Sequence, residues 1–365
     1  MVGQRSETAV MISVQEHIAL KELTTIGLGG AAKYFCSCSS VEEVKAALLY
    51  ARTKALRVHI LGGGSNTIFA DAGYDGLVLK IDLKGISFID EGESVRAKVC
   101  AGELWEPFVR TVVEQGYAGI ECLSGIPGSV GATPIQNVGA YGQEVKDTIV
   151  SVKVLEKETA AEKEFTNKEC RFSYRNSRFK MEDVGKFIVT EVTFRLKKNG
   201  RPTIHYPEVK KQIEAAVNLS SLADGRESLE AVRNIVVSLR RKKSMVIDPS
   251  DPNSRSVGSF FLNPIVDETV LADVVETWNA IGDGTTVPTF PSEGKKKIPA
   301  AWLIEKSGFR KGYKKNGVGI SENHTLALVN YHGTTRELLE LASEIQRGVQ
   351  RAFKILLEME ANVVS

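Results

Sequence analysis

Cysteine and histidine are scarce, and neither is spaced for a metal site or a disulfide framework. The five cysteines (Cys36, Cys38, Cys100, Cys122, Cys170) are odd in number and hold no CxxC pair. They read as reduced packing thiols of a cytosolic protein. The five histidines (His17, His59, His205, His324, His332) are scattered, and no metal site is expected. No segment is apolar enough to span a bilayer, and no N-terminal stretch joins positive charge to a long apolar run. Neither membrane insertion nor a secretory leader is therefore expected. An excess of one charge is missing too: Lys+Arg 47 against Asp+Glu 45 leaves +2. That balance supplies no general attraction for nucleic acid, and there is no acidic tail. The chain also lacks a Walker A pattern, which disfavours an NTPase, and it has no internal repeat or low-complexity stretch.

Apolar residues, by contrast, make up 42% of the 365 residues, enough for two or three domains with real cores. The elements are mixed α and β. Ser40 reads as the N-cap of a helix to about Leu56, with Val41, Val44, Leu48 and Ala51 on one face. Arg57–Leu61 and Leu77–Ile81 read as strands, and Leu104–Gln115 as a helix that tolerates Pro107 in its first turn. Ile149–Leu155 and Phe187–Leu196 alternate as strands. Two polar, turn-rich stretches, Lys197–Thr203 and Asn218–Ser228, bound a region that joins two halves. The second half opens with a helix near Leu229–Lys242, with Val232, Ile235, Val236 and Leu239 on its apolar face. A long amphipathic helix near Thr335–Phe353 carries Leu338, Leu341, Ile345 and Ala352.

Glycine is concentrated where chemistry is expected. "GGGSN" (Gly62–Asn66) ends an apolar run, and a glycine-rich turn of this kind presents backbone N–H groups to an anion, usually phosphate. The competing reading is a plain tight turn. Upstream, "GLGGAA" (Gly27–Ala32) imitates a dinucleotide-binding turn, but no apolar strand precedes it and strand-like "AAKYFCSCSS" follows it. The context for a Rossmann turn is absent. A second glycine-rich segment, "GIPGSVGATPIQNVGAYG" (Gly125–Gly142), changes the odds. Two separated cradles suit an extended, doubly phosphorylated cofactor, and the amides of Gln136 and Asn137 suit a heteroaromatic ring edge. The competing reading here is a long structural loop.

These segments carry a resemblance. "LTTIGLGGAA", "LGGGSN", "GIPGSVGATPIQNVGAYG", "ECRFSYRNSRFK", "GSFFLNP", "AAWLIEKSGFRKG" and "LLEMEANV" run in order from about residue 20 to the C-terminus. In this the chain resembles the UDP-N-acetylenolpyruvoylglucosamine reductase family, in its larger branch with a substrate-covering tyrosine loop. The resemblance implies an α+β fold: a p-cresol methylhydroxylase-type FAD-binding domain followed by a C-terminal α+β substrate-binding domain. The expected boundaries are an N-terminal segment at 1–26, an FAD-binding domain at 27–200 in two subdomains split near 70–80, a connecting region with the tyrosine loop at 201–227, and the substrate domain at 228–365.

The resemblance also implies roles. Noncovalent FAD is expected against Gly62, Gly63, Gly64, Ser65, Asn66, Pro127, Gly128, Gly131, Ala132, Gln136, Gly139, Ala140 and Arg175. NADPH is the expected reductant, and the substrate is a UDP-sugar carrying an enolpyruvyl ether. Hydride delivered to the β-carbon of that ether builds negative charge on its carboxylate and α-carbon. Cationic and hydrogen-bonding groups must stand where that charge develops, and an acid must protonate the α-carbon. By similarity, Arg175 and Glu360 stabilise the carboxylate and Ser259 gives the proton. The two-pronged guanidinium of Arg175 suits a carboxylate better than lysine would. Tyr174 belongs to the same pocket, Lys243 and Asn263 meet the diphosphate, and Tyr206 closes over the substrate. Leu262 stands where the family often has Lys, and Met359 where it has Pro, which leaves Glu358 as the fallback for Glu360. A cytoplasmic monomer is expected, with no nucleic-acid or membrane partner. The alternatives are a related FAD-dependent oxidase with another substrate, or a binding module without catalysis. An oxidase of this kind often holds FAD through a histidine near the first glycine loop, where this chain has Ser65 and Asn66.

Overall fold

The computed structural model describes residues 10–204, 207–216, 224–292 and 294–365. The chain forms two compact units that exchange segments along the sequence. The first holds the described residues up to Ile18, with Ala32–Gly63 and Tyr74–Ser238. The second holds Ala19–Ala31, Gly64–Gly73 and Leu239–Ser365.

The first unit begins with a four-stranded sheet in the order Gln15–Ala19, Ala31–Cys38, Tyr74–Ile81, Val58–Leu61. Tyr74–Ile81 pairs in parallel with a strand on either side. Its Leu77, Val78 and Leu79 are fully buried, the unbroken apolar run a central parallel strand needs. The crossover is the helix Val41–Thr53, capped by Ser40 Oγ, which accepts from Glu43 N at 3.1 Å. That helix stops short of Leu56 because Ala55 turns to φ +51. A larger antiparallel sheet follows, ordered Glu162–Thr166, Ile149–Glu156, Phe187–Lys198, Ser94–Cys100, Ile86–Asp90. The helix Trp105–Glu114 buries Trp105 and Phe108 against Phe194 of this sheet, with ring centroids 5.3–5.9 Å apart. Burial of such aromatics is worth about 1.5–3 kcal/mol each.

The second unit is built on an antiparallel sheet ordered Ser256–Ser259, Ala327–Asn330, Val318–Ile320, Lys314–Lys315. The helix Thr335–Phe353 covers its core with Leu338, Leu341, Ala342, Ile345 and Val349, all at most 1% exposed. Thr334 and Glu337 close a reciprocal cap at its start. The helices Glu268–Ile281 and Ala300–Lys306 complete the core with Trp278, Leu303 and Ile304. Two short strands far apart in sequence, Thr67–Phe69 and Asn362–Val364, pair in parallel. Among the described residues no helix is long and apolar enough to cross a membrane.

"GLGGAA" leads into the strand Ala31–Cys38, as its flanking sequence required. Its glycines serve close packing: a Cβ on Gly29 would stand 2.6 Å from Phe69 Cβ, and one on Gly30 would strike the Asp71 carbonyl oxygen. Cys36, Cys38, Cys122 and Cys170 are buried, and burial raises the Cys170 thiol to about 12.

Candidate functional site

In the first unit the two glycine segments meet backbone to backbone. A Cβ on Gly63 would lie 2.7 Å from Gly128 Cα, and one on Gly62 would lie 2.5 Å from Ser129 Oγ. The second segment is stitched along the stretch that precedes the Trp105 helix. Trp105 N donates to Gly128 O (3.0 Å), Val130 N to Glu103 O (2.8 Å) and Gly131 N to Ala101 O (2.9 Å). Gly131 has no room for a side chain, because its Cβ would stand 2.5 Å from Ala101 Cβ. The Glu106 carboxylate adds a further stitch, accepting from Gly125 N and from Arg233. Along this strip Ala132 is exposed, and Pro127, Gln136 and Ala140 are half-buried.

The far end of the segment is tied to the "SYRNS" turn. Asn137 is fully buried at φ +44, and its Nδ2 donates to Glu144 Oε2 and Ser173 O, each at 2.9 Å. Its Oδ1 accepts from Lys146 N at 3.2 Å. The Asn137 amide therefore braces the loop from inside, which corrects its expected part in reading a ring edge. Ser173 and Asn176 exchange backbone hydrogen bonds (3.1 and 3.2 Å), so Tyr174 and Arg175 form the tip of a tight turn. Arg175 sits at φ +53, a strained conformation for a bulky residue. Its Nη2 donates to Gly139 O at 2.6 Å, and the guanidinium lies 5.4 Å from the Tyr174 ring centre. Strain, a carbonyl and an aromatic face together hold this cation at one end of the second glycine segment.

In the second unit Gly64 stands at φ +65, where a Cβ would fall on the Leu23 carbonyl oxygen. The buried Thr24 Oγ1 beside it has no hydrogen-bond partner among the described residues. Asn66 faces the C-terminal segment: its Nδ2 donates to Glu360 O (3.0 Å), and its carbonyl accepts from Asn362 N (3.0 Å). Ser259 ends the strand Ser256–Ser259, whose pairing with Ala327–Asn330 shifts register between Ser256 and Ser259. Gly258 at φ +74 makes that bulge possible. Next to Ser259, Phe260 and Phe261 are buried with ring centres 5.2 Å apart. Glu360 N donates to Phe260 O (2.8 Å), and Leu262 N donates to Glu358 O (2.9 Å). Glu360, half-buried, thus lies beside the Ser259–Phe260 step, while Glu358 is exposed and one pairing step further away. Asn263 Oδ1 accepts from Ala300 N at 2.8 Å and caps the helix Ala300–Lys306.

The "LRRKK" cations divide. Arg241 and Lys242 are exposed, whereas Arg240 and Lys243 are half-buried. Asn323 Nδ2 donates to Ser244 Oγ at 2.8 Å, which brings the residue after Lys243 to the residue before His324. His324 Nδ1 accepts from Leu326 N at 3.1 Å. Burial, with Lys243, Lys311 and Arg240 adding positive charge, pushes this imidazole down to about 4. The sequence marked Lys243 through its neighbours, but "SENHT" gave no signal that His324 would join it. Tyr206 lies outside the described residues.

Residues 32–160 match the model of the FAD binding domain, and residues 249–364 match that of the UDP-N-acetylenolpyruvoylglucosamine reductase C-terminal domain. The chain is 43% identical to a UDP-N-acetylenolpyruvoylglucosamine reductase of Thermobifida fusca, over 95% of this chain and 97% of that one. It is 40% identical to one of Mycobacterium tuberculosis, over 95% and 94%. Its fold is similar to the crystal structure of the reductase from Thermus caldophilus (TM-score 0.66, 23% identity, 97% of this chain and all of the other). An FAD-binding domain and a reductase C-terminal domain together define a flavin-dependent oxidoreductase. The chain belongs to the UDP-N-acetylenolpyruvoylglucosamine reductase family.

Proposed function

We propose that the protein uses NADPH to reduce the enolpyruvyl ether of UDP-N-acetylglucosamine enolpyruvate to UDP-N-acetylmuramate, as a cytoplasmic monomer. One observation carries the reading. "GSFF" and "EMEAN", about a hundred residues apart, are joined by the Glu360 N–Phe260 O hydrogen bond of 2.8 Å, so the backbone of Glu360 pairs with the residue that follows Ser259. A proton donor and a carboxylate-binding group are the pair this reduction needs.

The residues present fit FAD. The two glycine segments meet backbone to backbone at Gly63 and Gly128, and Thr24 Oγ1 is a buried hydroxyl with no hydrogen-bond partner among the described residues. Gly62, Gly63, Gly64 and Ser65 would meet the pyrophosphate, and Asn66 through its backbone alone. Pro127, Gly128, Gly131, Ala132, Gln136, Gly139 and Ala140 would line the remainder. When bound, FAD relays two electrons from NADPH to the substrate. Arg175 neutralises the charge that grows on the substrate carboxylate, and Glu360, in its protonated form, donates a hydrogen bond to it. Ser259 gives its proton to the α-carbon and recovers one from solvent. Tyr174 packs beside Arg175. Lys243 holds the diphosphate as a point charge, and the NH2 end of Asn263 suits the same anion, because its oxygen already caps a helix. Tyr206 remains assigned to substrate closure.

The test is anaerobic. Purified yellow protein should bleach with NADPH under nitrogen and regain colour on addition of UDP-N-acetylglucosamine enolpyruvate. Recolouring with air alone would make the protein an oxidase. No bleaching at all would make it a binding module. Size-exclusion chromatography with light scattering checks the monomer.

A further inference from the structure

Thr25 makes two hydrogen bonds whose partners lie far apart in sequence. Its backbone N donates to Gly64 O at 3.1 Å. Its hydroxyl donates to Ser256 O at 2.6 Å. Gly64 is the last glycine of the first glycine segment, and Ser256 opens the bulged strand that ends at Ser259. The base of that bulge is braced again from inside: Ser256 Oγ accepts from Gly258 N at 3.2 Å, and Gly258 takes the positive φ that turns the strand. Beyond the bulge the chain is fixed once more, since Phe260 N donates to Leu326 O at 2.8 Å. Between those two fixed points, the direction of Ser259 depends on where the Ser256 carbonyl is held. Beside the pairing of Ser256 with Val329 and of Ser259 with Ala327, the Thr25 hydroxyl holds that carbonyl, and the same residue holds Gly64.

We propose that Thr25 is a positioning residue for Ser259, setting the proton donor relative to the glycine segment that meets the cofactor. The proposal rests on Ser259 being the proton donor and on Gly62–Asn66 meeting the FAD pyrophosphate. Proton transfer demands hydrogen-bond reach, and a displacement of about 1 Å can cost about 10²-fold. Thr25 touches no reacting atom. Its effect must therefore appear in the step that uses Ser259 and not in the step that precedes it.

Stopped-flow measurements on the FAD-loaded enzyme test this. Thr25→Val keeps the shape and removes the hydroxyl. Flavin reduction by NADPH should stay within twofold of wild type, and reoxidation by UDP-N-acetylglucosamine enolpyruvate should slow about 10- to 100-fold. Thr25→Ser should restore most of the loss. Thr25→Ala, which removes the hydroxyl with less bulk, should give the same one-sided signature, and it decides the matter if Thr25→Val does not fold. Equal slowing of both half-reactions, or no restoration by serine, would reduce Thr25 to a structural residue and overturn the proposal. Unchanged reoxidation in Thr25→Val or Thr25→Ala, beside a slowed Ser259→Ala, overturns it while leaving Ser259 in its role. Unchanged reoxidation in Ser259→Ala removes the role itself, and the proposal with it.

Discussion

The two units prepare their functional residues in opposite ways. In the first, the important surface is backbone: glycines pack on glycines, and most side chains near them are committed to holding the loop. Asn137 braces it, Glu106 stitches its root, and Arg175 is itself pinned to Gly139. In the second, the important groups are side chains mounted on irregular backbone: Ser259 on a bulge, Glu360 on a C-terminal segment laced to Phe260 and Asn66, and Lys243 at the end of a helix. A cofactor that every turnover uses can be met by a rigid strip of main chain. A reaction that must place charge and a proton on particular atoms needs functional groups, and those need individual supports.

The largest expected effect tests whether the second unit also carries a backbone requirement, at the last glycine of the first segment. Gly64 is excluded from bearing a side chain by the protein and not by the ligand alone, because its Cβ would meet the Leu23 carbonyl oxygen and its φ is +65. Gly64→Ala should therefore destabilise the apoprotein by more than about 3 kcal/mol. Gly92→Ala, at φ +81 with nothing within 4 Å, should cost only about 1 kcal/mol. Urea unfolding without FAD measures both. Equal costs would return the glycine requirement to the cofactor.

This also marks what sequence reading reached. The glycine segments, the Ser40 cap, the long strands and the Thr335–Phe353 helix were legible, because composition and period are local signals. The agent that excludes the side chain was not, since Gly128 and Leu23 are distant in sequence from Gly63 and Gly64. Asn137 looked like a ligand residue because an amide's chemistry is visible and its partners are not. The strand Ile86–Asp90 lies mostly exposed at a sheet edge and gave no clean alternation. Thr67–Phe69 and Asn362–Val364 are too short for any period, and their pairing bridges nearly the whole chain. The roles of Arg175, Ser259 and Glu360 came from the resemblance, not from the pattern of residues alone.

The next effect belongs to the side-chain groups. Arg175→Lys keeps the charge but loses the fork that holds Gly139 O and suits a carboxylate. Reoxidation by the enolpyruvyl substrate should fall about 10²-fold, close to 2.7 kcal/mol of transition-state stabilisation. If lysine supports wild-type reoxidation, a point charge suffices and the pinned turn has no catalytic purpose.

Each unit also holds one histidine neutral. Burial, with Lys157 nearby, pushes His59 down to about 4, and burial with three cations does the same to His324. Between the ordinary value of 6.5 and about 4, the unfolded chain binds more protons than the folded one, so stability falls as pH falls through that window. The loss from pH 7 to pH 5 should be about 2 kcal/mol per histidine. Urea unfolding of His59→Gln and His324→Gln at the two pH values should show a shallower dependence in each variant. A slope unchanged from wild type in either would show that its imidazole is not held neutral.

The smallest expected effect falls inside the second unit. Asn66 ends the first glycine segment, yet its side chain donates to Glu360 O at 3.0 Å. It belongs by sequence to the cofactor loop and by contact to the carboxylate's support. Asn66→Ala removes one hydrogen bond and leaves a half-buried carbonyl without that donor, a cost of about 1 kcal/mol. The parallel pairing of Thr67–Phe69 with Asn362–Val364 remains to hold the segment, so the fold should survive. What should change is the freedom of Glu360. Reoxidation by the enolpyruvyl substrate should slow by about fivefold, the kinetic equivalent of that energy, with NADPH reduction and FAD affinity within twofold of wild type. A tenfold loss of FAD affinity with normal reoxidation would give the opposite answer: the Asn66 amide would then serve the cofactor, and the support of Glu360 would lie in the strand pairing alone.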